Sequence, residues 1–534
     1  MTYNPGSNIY LCDVPFTKNH SDVLDFTSRE EQLAYFRNRI NKEYYEYVYV
    51  KKDNMVKVEG NLEDLLQNNY IFYQNPTYKR WYYCFIDRME YISENTTAIY
   101  FTTDAWQTWL FDIEFMPSFI ERKHVTNDAI GANTVPEGLE TGEYICNTHV
   151  IDDHMSDTLN DLTYVVSMAV DMSTIDLAGK TISPAGMHKY NGIISGTMYY
   201  RYDFTGLIST VLEELTELNQ LNAINGMFMA PKELAPYGST AEKLNQIPES
   251  DTAQSYTNTI TKQMSLNGYT PRNNKLLCHP YNYLLVSNNQ GTSEILHYED
   301  FSTPSCNFKI NMALTPGCSI RMVPLNFKGI SENDDYAINM GKLPICSYNV
   351  DMYTNWLTQN SVNTPAGTIT SDQVNIGSSV SGGMLNMFGS LLSLNPSGLL
   401  NSASSTFTNT FNAVLENKQH NMLSGVSQGN LNSGDVCTST GTNTYHFYKM
   451  SVRSEFAKII DDYFDKYGYK VNTLETPNIR TRRNWNFIKT IGFNLKGNIP
   501  QIEMEEIKNM FDNGVTIWHN PNTIYDYNQN NGII

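Results

Sequence analysis

Charge is what this sequence has least of. Asp, Glu, Lys and Arg make up 17% of its 534 residues, against roughly 25% in an ordinary soluble chain. The balance is lopsided, with 37 Lys and Arg facing 56 Asp and Glu and a formal net charge of −19 at pH 7. Such a balance argues against a protein that grips nucleic acid, because affinity for DNA rests on cations that neutralise phosphates. It leaves room for a conduit, since a negative wall repels phosphates and does not trap them. The eight cysteines (Cys12, Cys84, Cys146, Cys278, Cys306, Cys318, Cys346 and Cys437) form no CxxC pair and no metal-ligand spacing. A disulfide framework and a thiolate metal site are therefore not indicated. The opening MTYNPGSNIYLCDVPF lacks the basic and apolar regions of a secretory signal, so the expectation is reduced thiols in a chain made in a cytosol. HExxH, GxSxG, Walker and GxGxxG motifs are missing too, which removes the common metalloprotease, hydrolase and nucleotide-binding readings.

What is abundant is Tyr, 36 copies, with Asn, Ser and Thr supplying most of the polarity. Strand-forming aromatics suit a β-rich, interface-rich protein. The length allows three or four domains. Strands are expected at Asn8–Phe16, Tyr70–Gln74, Trp81–Tyr91, Thr97–Thr103 (after a turn at Glu94-Asn95) and Phe119–Val125, followed by a loop over 126–142. Further strands are expected at Leu162–Ala169 and Gly196–Phe204. Ile208, Val211, Leu212, Leu215 and Leu218 share one face of a helix spanning Leu207–Ile224, with Asn225-Gly226 as its stop. Phe456, Ile459, Ile460, Tyr463, Phe464 and Tyr467 predict a helix closed by Gly468, then strands Tyr469–Asn472 and Trp485–Leu495. Pro500 opens a last helix, and Val515–His519 is a last strand. The fold class is a β-rich α+β, multi-domain chain with a C-terminal α+β module. Its expected divisions are 1–145, 146–355, 356–440 and 441–534.

Candidate chemistry is sparse. His149, Asp152, Asp153 and His154 form the one His/Asp cluster, but alternate strand positions aim at opposite faces, so it reads as a solvated strand end or turn and not as a metal site. Cys278-His279 are neighbours before Pro280, and adjacent side chains rarely meet as a nucleophile and base, so a structural turn is expected. Trp81, Tyr82, Tyr83, Trp106 and Trp109 could stack on sugars but read as core and subunit interface. Arg480, Arg482 and Arg483 read as subunit-interface pairing. Catalytic residues, cofactors and metals are accordingly expected to be none.

One stretch stands apart. From Gln373 to Leu415, about 43 positions, there is no charged residue. It contains Met384, Leu385, Met387, Phe388, Leu391, Leu392, Leu394, Leu399 and Leu400, interrupted at Pro396 and Gly398. Exposed to water, that set would aggregate, so it must be hidden in a core, in an oligomer or in lipid. Each apolar arm is nearer eleven residues than the roughly 20 of a spanning helix.

Several strings are similar to one known family. CDVPF at Cys12–Phe16, YIFYQN from Tyr70, WQTWLF from Trp106 and SFIERKHV from Ser118 resemble the start of the tail-knob (distal tube) proteins of small podophages infecting Gram-positive bacteria. YFDKYGYKVN from Tyr463, PNIRTR from Pro477, NWNFIKT from Asn484 and FDNGVTIWH from Phe511 resemble its end, in order and spacing. The match covers roughly the first 145 and last 90 residues. The resemblance implies a virion protein, a homohexamer with tail-tube-like β-barrels around a double-stranded DNA channel. It would sit beyond the lower collar adaptor and beside a tail-tip protein. It also implies a long hydrophobic loop that plugs the channel and enters the host cell membrane on infection, a role that Gln373–Leu415 matches by position and character. The alternatives are a wall-degrading or a receptor-binding tail tip.

Overall fold

The computed structural model describes residues 7–47, 49–50, 54–75, 79–155, 162–202, 207–218, 220, 223–236, 246–289, 291–314, 319–340, 345–346, 427–431, 434–438 and 444–534. The chain divides into two units. The first takes Met1–Glu143, Gly268–Cys278 and Arg453–Ile534, and the second takes Tyr144–Asn267 and His279–Val452.

In the first unit, seven antiparallel strands run in the order Ile40–Tyr47, Ser7–Cys12, Tyr70–Gln74, Trp81–Ser93, Thr96–Thr103, Met55–Glu59, Tyr49–Val50. The two end strands, Ile40–Tyr47 and Tyr49–Val50, are consecutive in the chain. A sheet whose opposite edges are joined by a single residue must curve back on itself, so this one is a half-barrel. Its inner face is filled by Ile9, Leu11, Val56, Val58, Ile71, Cys84, Ile99 and Phe101. Its outer face is also covered, with Tyr70, Phe72, Tyr83 and Phe85 packed against Tyr35, Phe36, Trp485 and Trp518. Burial on both faces is why Tyr70–Tyr73 is apolar without alternation. Helix Arg29–Arg37 supplies Tyr35 and Phe36. It starts at Ser28, whose hydroxyl accepts from Glu31 N at 3.2 Å, while the Glu31 carboxylate accepts from Thr27 N at 2.8 Å.

The second sheet of this unit mixes the two ends of the sequence, in the order Asp22–Leu24, Val515–Trp518, Trp485–Ile491, Ser118–Lys123, Tyr469–Glu475. Helix Gln501–Asn513 lays Ile507, Met510 and Phe511 on Ile120, Ile488 and Ile517. The strand expected as Trp485–Leu495 stops at Ile491 and resumes as Leu495–Gly497, because Gly492 turns the backbone with φ +68°. In helix Ser454–Tyr467 the buried stripe is Ala457, Ile460, Asp461 and Phe464. Ile459, expected on that stripe, is exposed instead.

The second unit holds a sheet ordered Tyr144–Ile151, His446–Val452, Asn282–Ser287, Ser293–Leu296, and another ordered Met198–Tyr202, Leu162–Met168, Ile224–Pro231, Ile345–Cys346. A third is built on Gln254–Thr261, Ser305–Met312 and Ile320–Phe327. Leu284, Val286, Phe308, Ile310, Tyr445 and Phe447 belong to one shared core. Helix Leu207–Glu217 packs Val211, Leu212 and Leu215 on Val166, Tyr200 and Met227. It ends seven positions before the expected Ile224, which instead opens a strand paired along Leu162–Met168. The pull of that pairing overrides the helical period.

Candidate functional site

The residues expected to meet a membrane, Met384, Leu385, Met387, Phe388, Leu391, Leu392, Leu394, Leu399 and Leu400, lie outside the described residues, as does all of Gln373–Leu415. Among the described residues no helix is long and apolar enough to cross a membrane.

The His/Asp cluster is split. His149 turns away to meet His446 at 2.8 Å. Asp152 is fully buried, a correction to the solvated turn expected there, because it anchors the short helical turn Asp153–Met155. Its carboxylate accepts from Tyr256 Oη at 2.8 Å and from His154 N at 3.2 Å, with His154 Nδ1 also at 3.2 Å. Donor atoms of Asp152, Asp153 and His154 fall within 4.8 Å of one another, but Asp152 is spent on these partners and Asp153 is exposed. Burial raises the Asp152 pKa, against the lowering effect of the Tyr256 and His154 bonds. The arrangement braces a turn.

Cys278 and His279 form no dyad. Cys278 Sγ is buried, accepts from Gly131 N at 3.3 Å and faces Asn274 O at 3.7 Å. The His279 ring stacks on His297 with centroids 4.1 Å apart, and burial lowers the pKa of both. The aromatic set is core. Trp106 is fully buried with Nε1 donating to Leu24 O at 2.8 Å, and Trp109 Nε1 donates to Glu503 at 2.7 Å. Arg480, expected to pair across a subunit interface, pairs within the chain. Its Nε and Nη2 reach the two oxygens of Asp25 at 2.6 and 2.9 Å, and Nη2 also donates to Phe26 O at 2.7 Å. The buried Asp25 carboxylate, close to the start of the chain, takes the fork that a partner subunit was expected to take.

Sequence reasoning passed over a buried ionic network in the first unit. Glu137, in the loop over 126–142, has a side chain 1% exposed and receives both Arg122 and Lys275 Nζ. It also accepts from Lys470 N at 2.9 Å. Lys275 lies over the ring of Tyr469 at 5.2 Å. Burial pushes its ammonium pKa down while Glu137 pulls it back. Beside it, buried Asp461 accepts from Tyr269 Oη at 2.6 Å, Arg272 N at 2.8 Å and Asn273 N at 3.1 Å. Every acceptor here faces a donor of the same chain, so the network holds Gly268–Cys278 against helix Ser454–Tyr467 and leaves nothing for a substrate. A Glu in a Gly- and Pro-containing loop carries no signal of burial.

At one end of the five-stranded sheet a groove of about 740 Å³ is lined by Phe119, Leu474, Ile491, Phe493, Lys508 and Asp512. Leu474, Phe119 and Ile491 are cross-strand neighbours and all three are exposed. This apolar row runs in from Tyr469–Glu475, the end strand of its sheet.

Comparison with known proteins agrees with a scaffold of this kind. Residues 6–114 match the model of the caudoviral major tail protein N-terminus. Over its full length the chain is 24% identical to the tail knob protein gp9 of Bacillus phage B103, covering all of both chains. It is 25% identical to that of Bacillus phage phi29, covering 98% of each. The fold is that of the bacteriophage C1 tail knob protein gp12, with a TM-score of 0.61 at 13% identity, over 99% of this chain and 100% of the other. Residues 243–532, more than half of the chain, match the model of the C-terminal domain of tail knob protein gp9 of Bacillus phage phi29, and the chain therefore belongs to this family of podophage tail knob proteins, structural components of the virion tail.

Proposed function

We propose that six copies of this chain form the distal tube of the tail, conduct the phage genome, and carry an apolar segment that first closes the channel and then enters the host membrane. The observation that carries the tube reading is the match of residues 6–114 to the N-terminal model of caudoviral major tail proteins, the same residues that build the half-barrel sheet. The net charge of −19 supports a wall past which phosphates slide. The apolar row at Leu474, Phe119 and Ile491 supports association, since exposed apolar patches mark contact surfaces. In this reading residues 1–145, 146–355 and 441–534 supply the tube, and 356–440 supply the plug. Its partners are the lower collar adaptor, a tail-tip protein, double-stranded DNA in the lumen and the host cell membrane. Catalysis has no part in it. The wall-degrading alternative has less residue support, because Tyr83, Trp106 and Trp109 are buried and Trp81 and Tyr82 are partly buried against the same cores.

The assembly is tested by native mass spectrometry of the purified knob. A particle of six 60.9 kDa subunits is expected. A monomer, or a ring of another order under virion-like conditions, overturns the tube reading.

A further inference from the structure

Helix Gln501–Asn513 does more than cover the core of the first unit with Ile507, Met510 and Phe511. Its Glu505, Lys508, Asn509 and Asp512 line the groove beside Phe119 and Leu474. Glu506 reaches instead to the turn that follows the first strand of the chain. There its Oε1 lies 2.9 Å from Nε2 of His20, 486 positions earlier.

The surroundings of His20 are those of a held residue. It is buried, and its ring meets Phe85 edge-on, with centroids 5.6 Å apart and planes at 74°. Its backbone has φ +54°, an uncommon state for a residue with a side chain. Its N lies 3.4 Å from Thr17 O, which closes the turn. Backbone of this kind persists where the surrounding contacts fix it. Three charged groups face the ring. Glu506 comes from the helix, Asp104 from the start of the short helix Ala105–Trp109, and Lys18 from the turn itself. Lys18 is engaged by Asp87 at 2.7 Å. Asp104 accepts from Tyr70 Oη at 2.8 Å and from Gln107 N at 3.0 Å. Glu506 is the acidic group in hydrogen-bond contact with the imidazole. Burial lowers the His20 pKa, but the Glu506 hydrogen bond and the fields of Asp104 and Glu506 outweigh it, and the pKa stands above 6.5.

We propose that His20 and Glu506 form a proton-dependent latch that fastens helix Gln501–Asn513, and with it one wall of the groove, to the turn at Thr17–Ser21. An imidazolium carries N–H on both nitrogens, so Nε2 donates to Glu506 and the bond is charge-assisted, roughly twice as strong as a neutral one. The neutral ring keeps a single N–H and loses the attraction of the charge. A ring freed from the latch titrates near 6.5, whereas the latched ring keeps its proton to higher pH. The stabilisation is therefore complete below 6.5 and is lost as pH rises through the pKa of the latched ring. Mild alkali loosens the first half of the helix, while Ile507, Met510 and Phe511 keep the rest on the core.

Two exchange measurements on the full chain test this. Exchange of imidazole C2 hydrogens, read by mass spectrometry, gives the midpoint of each histidine. That of His20 is expected above 6.5, and Glu506→Gln is expected to lower it. Amide protection of 501–509, corrected for the intrinsic pH dependence of exchange, is expected to fall between pH 6.5 and pH 8.5 while that of 515–518 holds. His20→Gln, which cannot titrate, abolishes that fall. A wild-type His20 midpoint at or below 6.5, or an equal fall of protection in His20→Gln, overturns the latch. Should His20→Gln not fold, Glu506→Gln carries the comparison, because it keeps the imidazole and removes the charge it faces. An undiminished fall in that variant also overturns the proposal.

Discussion

His124 shows how one buried ring ties this fold to pH. Its Nδ1 accepts from Phe487 N at 2.8 Å and its Nε2 lies 3.0 Å from Asp465 O, which leaves no site for a second proton. Burial first, and then the Arg482 guanidinium, lower its pKa to about 3. The unfolded chain takes up this proton near pH 6.5 and the folded chain does not until about 3. The contribution of His124 is thus complete above pH 6.5 and is lost as pH falls, by about 1.4 kcal/mol per unit. His124→Gln is expected to flatten the stability curve between pH 6 and pH 4 relative to wild type in urea titrations. Gly468 is constrained differently. Its φ is +62°, and an added Cβ would lie 2.2 Å from Lys123 O. Gly468→Ala is expected to cost roughly 2–4 kcal/mol, read as a lowered Tm. The motif that resembles the family, YFDKYGYKVN, holds this glycine because strand Ser118–Lys123 passes against it.

At the scale of elements, helix Ser454–Tyr467 turns its polar Asp461 inward and its apolar Ile459 outward. The 3.6-residue period read from the sequence located the helix and most of its inward face, with Ile460 and Phe464 buried and Phe456, Tyr463 and Tyr467 half-buried. It gave no sign of Asp461, since the donors of Gly268–Cys278 that satisfy it lie about 190 positions away. The loop over 126–142 is held the same way, through Glu137. Removing one member of a buried ionic group strands its partners, at roughly 3–5 kcal/mol. Glu137→Ala should lower stability by that amount, and adding Lys275→Met should recover part of it, as thermal denaturation of both variants would show. Equal stabilities of the two variants would mean that Lys275 is not the stranded charge. Helix Arg29–Arg37 was passed over although its start was legible, since Ser28 and Glu31 stand at the spacing of a capping box.

For the whole molecule, the apolar segment offers the sharpest test. An ionised group costs about 2.5–3.5 kcal/mol at a helix centre in a membrane, and Gln373–Leu415 carries none. Leu391→Asp with Leu392→Asp is expected to leave tail assembly and adsorption intact and to block genome entry, measured as DNA delivered per adsorbed particle. Normal infectivity would return the segment to core or linker. The β-rich class, the strands Tyr70–Gln74, Trp81–Ser93 and Thr96–Thr103, the C-terminal helices and the family itself were readable from residue order alone, because alternation, turn residues and local motifs act over a few positions. What tertiary structure decided was long-range. It joined Ser118–Lys123 to Trp485–Ile491 and Tyr469–Glu475 in one sheet, ended the Leu207 helix early, paired Arg480 with Asp25, and buried Glu137 and Asp461. Each of these rests on partners tens to hundreds of positions apart, and a local pattern holds no information about which distant donor or strand will arrive.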